Sequence, residues 1–422
     1  MTKKILVIPG GFVPYNDTVT LLSYKHLRSL DAEIDVIALK GKEDEGLVQS
    51  LKEDENFKKF NIEYFGYYDD TVATYERKNV VSCFFNFIKY CFYAKNKAKE
   101  KKYDVVYTSS IPSFTHLSGY FIKKMLKDDI VWIASFSDPL YKSPYKKDLE
   151  SFKEYNIIQK IGFFVYIWIY MNGMYEKIAQ KYADKVLYIC KEQKEFMVSH
   201  YPNQEELNKK AMVIPLNYIK DWSIYKDLLI KNKTKNKKKI ISHFGRIYGL
   251  RKIDLVLQAI KELKEEIPNL SEKLVFEQYG QILDRYVNMI EELNISDIFK
   301  CFDKISYKDV MDKMHKSDAL ALYDTFVKED EMQPYLPSKS LEYLLLKKDL
   351  LILAQKNSPT YRIFISYGYK CTDNDVNSIK ERIKEILYSD NGYMDYDISS
   401  LENEVATKPL QEYISKIRKE RL

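Results

Sequence analysis

Residues 334–343, Pro334-Tyr335-Leu336-Pro337-Ser338-Lys339-Ser340-Leu341-Glu342-Tyr343, lead into the apolar run Leu350-Leu351-Ile352-Leu353-Ala354. Together they read as a helix that opens on a cation and feeds a parallel strand. Pro337 suits a first helical turn, Ser338 is a candidate cap for the free amides, and Lys339 stands where the positive end of the helix dipole favours an anion. Glu342 follows Lys339 at i+3, so both side chains leave one face, and a carboxylate can accept from two vicinal hydroxyls, as a ribose presents them. A cation for a diphosphate and an acid for a ribose suggest a sugar nucleotide. Lys339 and Glu342 read equally well as a solvated helix pair.

A second stretch, Lys238-Lys239-Ile240-Ile241-Ser242-His243-Phe244-Gly245-Arg246, is a short strand ending in glycine and arginine. Arg251, Lys252 and an amphipathic helix over 253–264 follow. Strand, tight turn and basic helix entry make a second anion cradle, because backbone amides, the helix dipole and guanidinium forks point one way. His243, on the strand entering that turn, is open to a core or a site role.

Taken together the two stretches resemble the C-terminal domain of a GT-B glycosyltransferase, most closely the large retaining family 4. The resemblance implies an α/β protein of two doubly wound Rossmann-like domains facing across a cleft. It implies that Gly245, Arg246 and Arg251 bind and neutralise the donor diphosphate, that Ser338 and Lys339 support it, and that Glu342 grips the ribose. The activity implied is a hexosyltransferase moving sugar from a nucleotide-diphosphate donor to a glycan or lipid-linked acceptor, with retention, in surface polysaccharide synthesis. Many members carry a glutamate eight residues before the second one; here that position is Pro334, and Glu329, Asp330 and Glu331 just upstream can substitute. Where many members have Lys-Gly, this chain has Arg251-Lys252. Two other readings stand beside this one: a sugar-nucleotide 2-epimerase of the same fold, and a non-catalytic GT-B-like binding subunit.

A chain of 422 residues is too long for one typical core and divides into two domains. The expected boundaries are 1–220 for an N-terminal acceptor domain, 221–239 for a basic linker, 240–400 for the nucleotide-sugar domain, and 401–422 for a terminal helix crossing back to the first domain. Charged residues at 30% exclude a membrane-embedded protein, and a net charge of +6 is too modest at this length to signal nucleic-acid binding. Cys83, Cys91, Cys190, Cys301 and Cys371 are scattered, with no C-x-x-C, which fits a reducing cytoplasm and neither a zinc site nor a disulfide framework. The 36 tyrosines are explained most simply by an AT-rich gene.

Strand signals at 4–8, 34–38, 105–108, 131–136, 183–189 and 211–215 alternate with helical ones at 17–30, 80–102 and 191–200, as a parallel sheet requires. Gly10 and Gly11 follow the first strand, where ligands of such sheets bind; both are candidate donor contacts, and the plainer reading is a tight turn. They do not match G-x-G-x-x-G, so no dinucleotide cofactor is expected. The second half repeats the pattern, with strands at 274–279, 319–323 and 350–354 and helices at 281–293, 307–316, 338–346, 376–388 and 409–419.

At the strand ends of the first half, Ser110, His116 and Ser137 are acceptor-side candidates and Asp138 is the best candidate acid, although Asp138-Pro139 also opens ordinary turns. Relatives often place a histidine just before this aspartate; Ser137 takes that place. His116 reads better as a helix-face residue. No metal is expected: the one Asp-x-Asp, Asp373-Asn374-Asp375, reads as a turn before a helix, and fixed cations can carry the leaving-group charge. The aromatic run 161–171 is too short to span a bilayer and reads either as a packed helix or, with Lys89, Lys95, Lys97, Lys99 and Lys101, as part of a face peripheral on an anionic inner membrane.

Overall fold

The computed structural model describes residues 2–15, 17–72, 80–110, 112–144, 157, 160, 173–230, 236–328, 330–390 and 393–417. The run 161–171 and Glu329 lie outside them. The chain forms two compact units, Met1–Trp222 with Ser399–Leu422, and Ser223–Ile398. The terminal segment thus belongs to the first unit, and residues 223–229, inside the stretch read as linker, form the helix Ser223–Leu229.

The first unit is built on a seven-stranded parallel sheet of order β3-β2-β1-β4-β5-β6-β7. Its strands are β1 (Lys3–Gly11), β2 (Ala32–Lys40), β3 (Phe60–Tyr67), β4 (Val105–Ser109), β5 (Val131–Ser135), β6 (Lys185–Tyr188) and β7 (Ala211–Val213). Every residue of β4 and β5 is buried, because helices cover both faces of a parallel sheet. Register between β1 and β2 shifts between Val7 and Gly10. Pro9 lies in that interval and has no amide to give the ladder, so a central strand accommodates it as an irregularity.

The second unit carries a five-stranded parallel sheet of order β10-β9-β8-β11-β12. Here the strands are β8 (Lys239–Phe244), β9 (Leu274–Tyr279), β10 (Phe299–Phe302), β11 (Ala319–Tyr323) and β12 (Asp349–Leu353). Its core joins Ile241, Phe276, Ala321 and Leu351 of the sheet to Val256, Leu257, Ile260 and Leu263 of the Asp254–Glu266 helix. Chain order reverses between β1 and β4 in one sheet and between β8 and β11 in the other. Such reversals leave a crevice at the carboxyl ends of the strands, where ligands of open α/β sheets bind.

The strands of highest apolar content coincide with the sequence expectation; β3 and β10 do not appear in it. Both are edge strands, and three of the four residues of β10 are exposed, so neither needs the apolar run that marks a buried strand.

Asp54 knots the first unit together. Its Oδ2 accepts from Arg28 Nε at 2.6 Å, Tyr24 Oη at 2.7 Å and Trp222 Nε1 at 2.9 Å, and its Oδ1 accepts from the Asn56 amide. Arg28 reaches on to Glu404 of the returning segment. Both members of the Arg28–Asp54 pair are nearly inaccessible, so removing one strands the other in a medium that solvates charge poorly. We expect Asp54→Ala to lower the stability of this unit by about 3–5 kcal/mol, read as a shift of the urea midpoint at unchanged slope.

Candidate functional site

The β8–β11 crevice opens because the two strands part early. They pair only through Ala319 with Ile241 and Leu320 with Ser242. Two residues further on, the Phe244 amide donates not to a strand but to Tyr343 Oη at 3.3 Å, and Tyr343 donates in turn to the Ala321 carbonyl at 3.2 Å. Tyr343 belongs to the Ser340–Leu346 helix, so one phenol ties the end of β8, the middle of β11 and this helix together.

Gly245 follows β8, its amide donating to the Tyr279 carbonyl at 3.0 Å. Gly280 lies against it with φ +118°, and a Cβ there would come within 2.8 Å of the Gly245 carbonyl oxygen. His243 is buried, stacked on Tyr323 at 4.7 Å, with Nδ1 2.7 Å from Gln278 Oε1. Gln278 Nε2 donates to the Gly245 carbonyl at 2.8 Å, which leaves Oε1 to accept from the histidine. Burial holds the His243 pKa down at about 3, so the ring is neutral and serves as a support for the turn. Past the glycine, Arg246 is exposed and Arg251 half-buried. Their guanidinium carbons lie 5.6 and 5.9 Å from the Tyr248 ring, gathering two like charges about one side chain, where an anion relieves their repulsion.

On the other wall, Glu342 is buried at 5% exposure. Its Oε1 accepts from Tyr307 Oη at 3.1 Å, while its Oε2, also buried, has no hydrogen-bond partner. Burial raises the Tyr307 pKa, so the phenol stays a donor to that carboxylate. Lys339 Nζ stands 4.9 Å from the centroid of the same Tyr307 ring, so cation and carboxylate flank one aromatic and do not pair with each other. The expected cap by Ser338 does not form. The helix begins at Ser340 without a side-chain cap, and its first amides go to the carbonyls of Pro337 and Ser338. With those amides engaged and only seven residues in the helix, the cationic contribution on this wall falls to the ammonium group of Lys339.

Three residues of this rim escape a reading of the sequence. Tyr307 starts a helix 35 positions before Glu342, and nothing local to either marks the contact. Asp324, directly after β11, is fully buried; its Oδ1 accepts from the Thr325 amide and Gln333 Nε2, both at 2.7 Å. Gln333 accepts in turn from the Tyr335 amide, so the pair shapes the loop that carries Pro334 and Lys339. Of the three upstream acids, Asp330 is exposed and Glu331 half-buried.

The candidates of the first unit collect at the ends of β4 and β5. Ser137 Oγ donates to the Ser110 carbonyl at 3.2 Å, Ser110 Oγ is buried without a partner, and Asp138 is half-buried beside them. His116 is fully buried, 2.8 Å from Thr108 Oγ1 and 4.5 Å from the Phe136 ring; burial holds its pKa at about 3, and it packs as a neutral core residue. Gly10 has φ +77°, and a Cβ on it would meet Pro112 at 2.5 Å; on Gly11 a Cβ would meet the Tyr15 ring at 2.8 Å. Both glycines therefore have a packing reason. Asp375 caps the Val376–Tyr388 helix, accepting from the Ser378 amide at 2.9 Å, which accounts for the Asp-x-Asp.

Solved glycosyltransferases share this architecture over 98–99% of the chain. A glycosyltransferase from Rickettsia africae superposes with a TM-score of 0.61 at 15% identity, covering 99% of this chain and 98% of its own. Sucrose-phosphate synthase from Thermosynechococcus elongatus gives 0.60 at 12% identity over 98% and 94%. Anabaena HepE, solved in complex with UDP-glucose, gives 0.57 at 12% identity over 99% and 97%. The fold is GT-B. No protein-family model and no curated protein sequence matches the chain. At these identities the likeness establishes the α/β architecture of two parallel sheets, and the chemistry rests on the residues described above.

Burial raises the Asp324 pKa to about 6, opposed by Thr360, the Thr325 amide and Arg251. A carboxyl whose folded pKa lies above its unfolded value of about 3.9 contributes stability that is full below pH 4 and is lost as pH rises through 6. We expect Asp324→Asn to be more stable than the parent at neutral pH, by up to roughly 3 kcal/mol, and to lose that advantage by pH 4. Melting temperatures across that range check it; a variant destabilised equally at both ends contradicts the assignment.

Proposed function

We propose that this chain is a glycosyltransferase of the family 4 type, moving a hexosyl group from a nucleoside-diphosphate sugar to a glycan or lipid-linked acceptor with retention. The observation that carries the reading is Glu342 Oε2, a buried carboxylate oxygen without a hydrogen-bond partner on the helix that follows β11, with Lys339 at the entry of the same helix and Arg246 and Arg251 in the stretch that follows β8. Leaving such an oxygen bare costs free energy that a vicinal diol recovers, and a ribose is the diol that arrives joined to a diphosphate.

In this reading Arg246, Arg251 and Lys339 hold the diphosphate and take up the charge that develops as the bond from sugar C1 to phosphate oxygen breaks. The acceptor oxygen forms the new bond to C1, and its proton passes to the departing phosphate oxygen. That route needs no strong protein base. For the acceptor the candidates are Asp138, Ser110 and Ser137 at the strand ends of the first unit; His116, neutral and packed, is left out. The three cations make a metal unnecessary to the leaving group. Synthesis of a surface polysaccharide in the cytoplasm is the setting we propose; among the described residues no helix is long and apolar enough to cross a membrane.

Nucleoside diphosphates and their sugars are expected to raise the melting temperature, since a ligand bound only by the folded state stabilises it. Arg246→Ala and Lys339→Ala each remove a charge-assisted hydrogen bond of about 1.5–3 kcal/mol, so each should weaken diphosphate binding roughly 10- to 150-fold and cut turnover comparably. Full affinity in both variants would remove the basis of the site. Transfer is also expected to persist in EDTA; activity lost there and restored by magnesium or manganese contradicts the metal-free mechanism. Release of free nucleotide with a C2-inverted sugar, and no acceptor required, would instead identify an epimerase.

A further inference from the structure

Three helices of the first unit, Val80–Glu100, Thr115–Leu126 and Met174–Tyr182, lie side by side in that order. The first buries Cys83, Phe87, Tyr90, Cys91, Ala94 and Ala98 along one stripe. A helix with one core stripe ordinarily turns a polar face to water. This one also exposes Val81, Phe85 and Phe92, at 67%, 58% and 49%, among the exposed Ser82, Lys89, Asn96 and Lys99. From Phe92 a row of rings crosses all three helices without a break. Phe92 stacks on Phe121 at 5.7 Å, Phe121 meets Tyr120 at 6.0 Å, and Tyr120 meets the exposed Tyr182 at 4.9 Å.

Ammonium groups stand along that row. Lys95 lies 5.9 Å from the Phe92 centroid, Lys124 5.5 Å from Tyr120 and Lys181 5.1 Å from Tyr182. Acids are scarce on the same helices. The Thr115–Leu126 helix has none, the Val80–Glu100 helix has only its terminal Glu100, and Glu176 is buried, accepting from the amides of Leu140 and Tyr141. Lys97 and Lys101 are engaged elsewhere, with Glu63 and Asp35, and do not belong to the row.

Rings that are exposed at Phe92 and Tyr182 and half-buried at Tyr120 and Phe121, interleaved with cations, match the chemistry of a lipid headgroup layer, where aromatic side chains settle at the apolar boundary and ammonium groups meet phosphates. We propose that this three-helix face docks the protein on an anionic lipid bilayer. Apolar burial supplies part of the affinity, and the lysines make it selective for anionic lipid and sensitive to salt. None of these residues belongs to either strand-end site, so the inference stands or falls separately from the donor reading.

The test is co-sedimentation of the full chain, without donor, on vesicles of phosphatidylcholine alone or mixed with phosphatidylglycerol, at low and high salt. Binding is expected on the anionic vesicles only and should fall with salt. A lysine near the surface is worth about five-fold in partitioning, so the combined Lys95→Glu, Lys124→Glu and Lys181→Glu variant should bind at least about a hundred-fold more weakly at an unchanged melting temperature. Phe92→Ser, a second and milder variant, should weaken binding while leaving its salt dependence intact. Equal binding to both vesicle types, or a folded triple variant that binds like the parent, overturns the proposal. So does a dimer in size-exclusion chromatography that Phe92→Ser converts to monomer, which would make the face a contact between copies of this chain.

Discussion

The hydroxyl of Tyr343 stands where β8 and β11 stop pairing, and the rest of the second unit's site depends on that separation. Two parallel strands that kept bonding to their ends would leave no space at the reversal of chain order. Here the Phe244 amide is satisfied by a phenol, which donates its own proton to the Ala321 carbonyl. Backbone groups on both strands are thereby paired without the strands closing, as buried amides and carbonyls require. Because Tyr343 neighbours Glu342 and sits one turn past Lys339, the bonds that hold the crevice open also fix the height of the carboxylate and the ammonium on its wall.

Around that opening the charged side chains share aromatic partners. Arg246 and Arg251 gather at Tyr248, while Lys339 and Glu342 gather at Tyr307. Direct ion pairs would satisfy these groups internally and leave little to offer a ligand. A ring instead holds the Arg246 guanidinium and the Lys339 ammonium in place while leaving their N–H groups to a ligand. The supports beneath are neutral: His243 is held unprotonated by burial, and Gln278 spends both ends of its amide, one on His243 and one on the glycine turn. Positive potential at the crevice therefore comes from the arginines and Lys339, without a contribution from the histidine beneath them.

The first unit solves a different problem, that of joining the start of the chain to its end. Asp54 collects Arg28, Tyr24 and Trp222, and Arg28 continues to Glu404, while the Asn403 side chain donates to the carbonyl of Lys25 and to Asn217 Oδ1. Residues separated by hundreds of positions thus share one buried polar network. Such a network specifies its partners more than it adds stability, because a missing member leaves a buried charge or amide unsatisfied.

The sequence by itself determined the fold class and the buried strands. Runs such as Val105-Val106-Tyr107 and Leu350-Leu351-Ile352-Leu353 must lie in sheets covered on both faces, and local turn chemistry placed Gly245 and the Pro337–Lys339 entry between strand and helix. It also marked Arg246, Arg251, Lys339 and Glu342 as candidates, since charge and spacing are local properties. Tertiary structure alone decided what each of them touches. The edge strands β3 and β10 carry too little buried apolar surface to announce themselves, Ser338 gave up its cap to backbone carbonyls, and His116 and the two glycines at the end of β1 were claimed by packing. Tyr307, Asp324 and Tyr343 became part of the site only through contacts across the sheet. Burial and long-range pairing set those contacts, and neither is encoded within a window short enough to read along the chain.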